Sequence, residues 1–393
     1  MRKGILVLAA ILLLFVLGFR EIVSSPSSAD VALFWDSKVT PLIAEYEDQC
    51  GVDESWVPRG NSSCLNSIGV GNPASLRDAL RSAGPGTCIT IEKGIYDPVR
   101  ISLSGTAEHP IIIRGSDAVR VIFEGSARDN ISITDSKYLI LENVSSRGAK
   151  RAGISILDSS HIIVRDCVVE DNGYWGIFTG FVSQLLLSGN SSSGSLREHG
   201  IYVSNSGDHV TIRNNHVFDN ARSGIQLNAD ASMGGDGIIS DTLIEQNTIE
   251  NNGSDGGAAL NLDGVSNSII RGNIMLGNHG GGIALFRIDG ATGSTRNIIY
   301  DNRIEQSADG RWCININSGS FGNILFRNYL VTDHDFRGSI VIDDSSRKNF
   351  HSFRNLAQGP FSLDGEQNRI SLTEWQRAGY GQETKAPAAL TGH

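Results

Sequence analysis

Apolar and polar residues alternate in short runs along most of the chain, and clusters of Gly, Asn, Asp and Ser separate the runs. In the stretch from Leu196 to Asp230, the alternations Ile201/Val203 and Val210/Ile212 flank Ser-Asn-Ser-Gly-Asp. Arg213-Asn214-Asn215 follows, and the cycle restarts at Gly224-Ile225-Gln226-Leu227. Strict alternation bounded by such clusters predicts half-buried strands joined by tight turns. One turn position carries Asn143, Cys167, Asn190, Asn215, Asn247, Asn273, Asn302, Asn328 and Asn355. A second column holds the pairs Ile154/Ile156, Ile177/Thr179, Ile201/Val203, Ile225/Leu227, Leu260/Leu262, Ile283/Leu285, Ile314/Ile316 and Ile340/Ile342. A period of about 20–30 residues without helical patterning excludes leucine-rich and helical repeats, and propeller blades need a longer one. The pattern predicts an all-β chain, a single-stranded right-handed parallel β-helix of about ten coils. Asn tolerates left-handed backbone and its amide can bond the turns above and below, so the Asn column is expected to form a ladder at a bend.

The ends read differently. Leu76, Ala79 and Leu80 share one helical face in residues 73–83, and Gly84-Pro85-Gly86 stops that helix before strands near Cys88–Ile91, Val99–Leu103, Ile111–Ile113 and Val119–Phe123. Such a helix suits a cap on the open apolar end of a solenoid. Ser371-Leu372-Thr373-Glu374 is a capping-box pattern for a short C-terminal helix through Trp375. Arg2-Lys3 followed by an apolar run from Ile5 to Phe19 marks residues 1–25 as a signal peptide or signal anchor. Residues 26–72 are then expected as a linker and irregular lead-in, 73–380 as the β-helix domain, and 381–393 as a flexible tail. The expected location is exported: periplasmic, membrane-anchored or secreted.

Composition narrows this picture. Forty-five glycines, 7% aromatic and 40% hydrophobic residues fit many short strands and exclude a collagen-like or disordered chain. A net charge of −10 argues against nucleic acid as partner, so the placement of each Arg matters more than the sum. Among the five cysteines, Cys50 and Cys64 are the expected disulfide in an oxidising compartment, with Cys88, Cys167 and Cys313 as packed thiols. No spacing suggests zinc. A monomer is expected.

If the apolar pairs point inward, their neighbours point outward. One outward column reads Ser155, Phe178, Tyr202, Gln226, Asn261, Ala284, Asn315, Val341. The next reads Leu157, Gly180, Ser204, Asn228, Asp263, Phe286, Asn317, Asp343. The preceding turns add Lys150-Arg151, Tyr174-Trp175, Arg197-Glu198-His199, Arg222-Ser223 and Arg311-Trp312, and Arg287 follows the strand. The Gly-rich insertions Ala229–Gly237 and Asp289–Ser294 could wall a groove here. Aromatic planes and amides suit sugar rings and hydroxyls, and the Arg fork suits their carboxylates. A uronate polymer can be cleaved by β-elimination or epimerised once its carboxylate is neutralised, with a base on the adjacent proton and, for elimination, an acid at the leaving oxygen. His199 is the candidate base, Tyr202 the candidate acid, and Arg197 and Arg222 the candidate neutralisers. Lys150, Arg151, Tyr174, Trp175, Gln226, Asn228, Asn261, Asp263 and Arg287 are candidate substrate ligands. The sequence assigns no cofactor; calcium at Asp263, beside Asn261, is the one option left open.

These residues resemble a known group. SLRDALRSAGPGTCITIEKGIY and SGTAEHPIIIRG resemble the start of secreted β-helix polysaccharide lyases of the alginate lyase and chondroitinase-B type. REHGIYVSNSGDHVTIRNNHVFDNARSGIQLN is similar to the Arg-His-Gly coil of mannuronan C5-epimerases, where the His is the proposed base; the resemblance assigns that role to His199. Those epimerases carry Asp-Pro-His-Asp one coil earlier beside a catalytic Tyr, where this chain has Tyr174-Trp175-Gly176-Ile177-Phe178, which leaves the acid as Tyr174 or Tyr202. The expected activity is that of a polysaccharide lyase on an acidic, uronate-containing polymer. The alternatives are a C5-epimerase, a non-catalytic polysaccharide-binding or export β-helix, and a glycoside hydrolase, since Asn261-Leu262-Asp263-Gly264 resembles the Asn-Thr-Asp motif of polygalacturonases.

Overall fold

A computed structural model of the chain describes residues 35–58, 64–205 and 207–387. The signal segment expected over 1–25 lies outside the described residues, as do 388–393 of the expected tail. The described chain is a right-handed parallel β-helix of about 12 coils, two more than expected. The additional coils come from the two ends. Strand Asn66–Val70, in the presumed lead-in, already pairs with Thr87–Ile91. At the other end, Gln382 and Lys385, in the presumed tail, bridge to Phe353 and Leu356.

Each coil has three faces. Strand Ala152–Arg165 runs along the first, bends onto the second, and is followed by Val168–Glu170 on the third; Trp175–Ser188 then starts the next coil. All neighbouring coils pair in parallel on the first face: Ile154 lies beside Ile177, then Ile201, Ile225, Leu260, Ile283, Ile314 and Ile340. These inward residues are fully buried, as the alternation requires. Helix Pro73–Ser82 is capped by Asn72 and Ser75 and buries Leu76, Ala79 and Leu80 against the first coils. Helix Leu372–Arg377 carries the expected capping box and inserts Trp375 at the other end.

The Asn column forms a buried ladder from Asn190 to Asn355. The Oδ1 of Asn247 accepts the backbone N–H and the side-chain amide of Asn215 at 3.0 and 2.9 Å. Its own Nδ2 donates to Ile212 O and Asn273 Oδ1, both at 2.9 Å. Two details differ from expectation. Asn143 is one residue out of register: Ser145 pairs with Val168, so Val144 stands beside Cys167, and the ladder starts where Cys167 N–H donates to Asn190 Oδ1. The left-handed residue is the one before the ladder, as at Asp166, Asn214, Asp301 and Arg327, so the ladder Asn serves as a hydrogen-bonding plug rather than as the left-handed residue. A second column (Asn220, Asn252, Asn278) and a third (Ser268, Asn297, Asn323) plug the other corners.

The segment expected as linker is docked. Helix Thr40–Gln49 and the chain to Pro58 run along the outside of the second face, from late coils towards early ones. Val39, Leu42, Ile43 and Tyr46 cover Ile269, Ile298 and Ile324, and Trp56 covers Cys88, Ile112, Ile140, Ile163 and Leu186. Polar clasps join these contacts. Val52 N–H donates to Thr211 Oγ1, Asp53 N–H to Gln184 Oε1, and Glu54 takes Arg213 at 2.6 and 2.8 Å. One outward column of this face is largely apolar, and the strap is what removes it from water. The expected Cys50–Cys64 disulfide is not formed. Cys64 bonds Cys88, 24 residues on, which ties the start of the first coil to the second, while Cys50 donates its S–H to Asn267 O far along the solenoid. Cys167 and Cys313 are buried free thiols, as expected.

Asn247→Ala should lower unfolding free energy by about 3 kcal/mol, because it strands the buried amides of Asn215. Asn143→Ala should cost about 1 kcal/mol or less, since Asn143 makes a single side-chain bond to Gly115 O at 2.9 Å. Urea titration of both variants checks the contrast.

Candidate functional site

The first face forms the floor of the site, because coil stacking turns each outward position into a column. Phe178, Tyr202, Gln226, Asn261 and Ala284 are consecutive partners across the strands. Trp175 stacks on Phe178 at 4.5 Å between ring centroids, and Tyr202 lies 5.4 and 5.5 Å from the two rings. Tyr174 adjoins Trp175 at 5.7 Å. These four half-buried aromatics make one platform. Arg151 lies over Phe178 and Trp175, but its fork is taken by Asp129 at 2.7 and 2.5 Å. It therefore braces the platform and is not an open carboxylate receptor. Beyond Tyr202, Gln226 Oε1 accepts Asn261 Nδ2 at 2.6 Å, and Gln226 Nε2 donates to Asn228 Oδ1 at 3.4 Å, so the amides form a linked row.

His199 sits in the turn entering the Tyr202 strand, 5.3 Å edge-to-face from the Tyr202 ring. It is buried, and its Nδ1 accepts the Ser223 backbone N–H at 3.1 Å. The ring proton is therefore on Nε2, which lies 3.3 Å from Glu198 Oε2. Burial, helped by the Arg222 charge, holds the imidazole pKa down at about 3. The lone pair that a base would use is already committed. Burial pushes the neighbouring Glu198 carboxyl up, with Arg222, 3.8 Å away, opposing. Burial pushes the Tyr202 phenol up to about 12, reinforced by Asp289, Glu198, Asp230 and Asp263, so it keeps its proton at neutral pH.

The other candidates separate into two groups. Asp263 is fully buried and its carboxylate accepts the N–H groups of Ile288, Asp289 and Gly290 at 2.9–3.3 Å. It is spent on the loop and has no free oxygen edge for sugar or calcium. Among the described residues no cluster of three or more His, Cys, Asp or Glu could hold a metal. Trp312, expected at the rim, is buried in the core. Arg100, Arg128, Arg197, Arg287 and Arg311, by contrast, lie on or border this face with no carboxylate within 4.0 Å among the described residues. Lys150 and Arg222 are exposed beside them. Arg197 donates to the Tyr174 hydroxyl at 3.0 Å and covers its ring. Arginines on other faces are mostly paired, as in Arg114–Glu142, Arg213–Glu54 and Arg327–Asp301. Away from this face only Arg296, Arg369 and Arg377 are not paired among the described residues, and the first two are held by Asn267 and the Phe336 ring.

Glu198, Asp129, Ser223 and Asp289 complete the site without having been singled out. Glu198 was legible as a neighbour of His199 and Asp289 as the start of a Gly-rich insertion, whereas Asp129 comes from another coil and carries no local signal. The two Gly-rich insertions do wall this face together: Ala231 N–H donates to Asp289 O at 3.0 Å and Ala291 N–H to Gly237 O at 2.9 Å.

A family model described as "Right handed beta helix region" matches residues 110–235 and 229–354. Among solved structures, an alginate lyase from Paenibacillus sp. str. FPU-7 shares the fold with TM-score 0.58 and 17% identity, over 70% of this chain and 98% of that one. Pectate lyase Pel9A gives TM-score 0.55 and 14% identity over 84% and 90% of the respective chains. The polygalacturonase from Erwinia carotovora ssp. carotovora gives 0.50 and 12% over 79% and 95%. A comparison with curated protein sequences finds no match.

His199 should stay neutral, with its proton on Nε2, from pH 8 to pH 5 in nitrogen-15 NMR of the imidazoles. The unfolded chain takes up this proton near the ordinary 6.5 and the folded chain only near 3, so stability falls as pH drops through that window. His199→Gln should flatten that part of the stability–pH curve, and an unchanged curve would contradict the burial argument.

Proposed function

The chain belongs to the right-handed β-helix family, and on that footing we propose that its first face binds an acidic, uronate-containing polysaccharide and cleaves it by β-elimination. The observation that carries this reading is the concentration of arginines lacking carboxylate partners beside an aromatic and amide floor. Cations left unpaired along one face of a net-acidic protein suit an anionic ligand, and the aromatic planes suit sugar rings. The names alginate lyase and pectate lyase, borne by two proteins of this fold, agree with an acidic polymer.

Arg197 and Arg222 neutralise the uronate carboxylate, which acidifies the proton on the adjacent carbon. With the Nδ1 of His199 committed to Ser223, the base role passes from His199 to Glu198, whose carboxylate burial makes more basic. His199 lies against Glu198, with Nε2 3.3 Å from Oε2. As Glu198 removes the proton, the bond to the leaving glycosidic oxygen breaks, a carbon–carbon double bond forms, and the Tyr202 phenol protonates the oxygen. A C5-epimerase would use the same proton removal and return the proton to the other side. A binding-only role is favoured by one observation, the commitment of His199 Nδ1 to the Ser223 amide. Hydrolysis through Asp263 is disfavoured because that carboxylate is fully engaged. We also propose export, on the apolar run Ile5–Phe19 and the Cys64–Cys88 disulfide.

Incubation with alginate, pectate and glycosaminoglycans should raise the ultraviolet absorbance of an unsaturated uronate. Tyr202→Phe and Glu198→Gln should each lower kcat by about 10²–10⁴-fold. Arg222→Ala should lower kcat as well as raise KM, because the charge it neutralises grows in the transition state. Full activity in both of the first two variants would sink the assignment. Binding without absorbance change, reducing ends or epimerisation by proton NMR would leave the binding role.

A further inference from the structure

Besides the backbone bonds between the two insertions, one buried carboxylate holds the wall of the first face. Asp263 ends a first-face strand, and its side chain turns outward into backbone rather than into the groove. Three successive amides, Ile288, Asp289 and Gly290, converge on its two oxygens. Convergent N–H groups on a carboxylate are charge-assisted bonds, roughly twice as strong as neutral ones. The surrounding backbone is packed to contact. A Cβ on Gly264, which sits at φ +67°, would come 2.8 Å from Ala229 Cβ and 3.0 Å from Gly290 Cα, so both insertions close on this point. The pinned loop carries Asp289, whose carboxylate accepts Asn228 Nδ2 at 3.4 Å, and Asn228 adjoins Ser204 on the Tyr202 strand.

We infer that Asp263 is a positioning residue: it pins residues 288–290 and thereby fixes the Asp289 carboxylate in the wall, against Asn228 in the row that continues from the Tyr202 strand. Its bearing on catalysis rests on the proposed role of Tyr202 as proton donor, but the pin itself does not. The charged and titratable groups that act on the phenol are Asp289 and Asp230 from the wall, Glu198 from the opposite turn and Asp263 from beneath. His199 touches the ring as a neutral group. Burial raises the phenol most and the Asp289 charge next, so removing that charge should make the phenol easier to ionise.

Two measurements on the full chain decide this, and neither needs a substrate. Arg287 is exposed beside the pinned amides and is a trypsin site. Asp263→Asn puts an N–H donor against amide donors, so cleavage after Arg287 should accelerate about tenfold or more while global unfolding in urea shifts little. Unchanged cleavage overturns the pin. Ultraviolet titration of phenolate, corrected by the matching Tyr202→Phe protein, should show Tyr202 ionising at lower pH in Asp289→Asn and in Asp263→Asn than in the wild type. An unshifted phenol in Asp289→Asn overturns the wall's action on Tyr202. Where activity is found, Asp289→Asn should shift the alkaline limb of the kcat profile downward with KM little changed. If no polysaccharide is turned over, the lyase reading fails while cleavage and titration still judge the pin and the wall.

Discussion

Coil-to-coil backbone pairing is the constraint on which everything else in this molecule rests. Each strand bonds to its counterparts in the coils on either side, without slippage from Ile154 to Ile340. A slip of one residue would bring an entire inward column to the surface. Register is therefore held by burial of the aliphatic pairs, and the Asn plugs at the corners reinforce it by satisfying backbone groups where the chain bends. Because register holds, an outward position in one coil stands next to the same position in the following coil. The aromatic platform, the amide row and the cationic rim are products of that stacking.

The same stacking creates a problem on the second face. Its outward column is apolar from Cys88 through Leu186 and again from Leu243 to Ile324, a long sheet surface open to water. The docked strap of residues 35–58 covers it, with Trp56 over the early coils and helix Thr40–Gln49 over the late ones. The strap thereby covers that column, while the first face stays open, polar and aromatic.

Within the site, burial does more than individual charges. It keeps His199 neutral with a committed lone pair, raises Glu198, and keeps the Tyr202 proton in place. The chemistry is distributed across coils: His199 is satisfied by Ser223 one coil on, Arg151 by Asp129 one coil back, and Asp263 by a loop after the next coil. None of these partnerships is local in the chain.

Periodicity alone determined the fold class, the inward pairs, the ladder from Asn190 to Asn355 and the identity of the outward columns, because a two-residue alternation repeated by coil has one consistent packing. It also pointed to His199, Tyr202 and the arginines as neighbours. Only the tertiary structure decided which of those groups remain free. Asp263 and Arg151 looked like ligands and are consumed by buried partners, and Cys64 chose Cys88 over Cys50. Residues 35–58, irregular in pattern, dock as a strap. Each of these outcomes depends on which donor or acceptor another coil or loop brings within about 3 Å, a distance that sequence spacing does not encode.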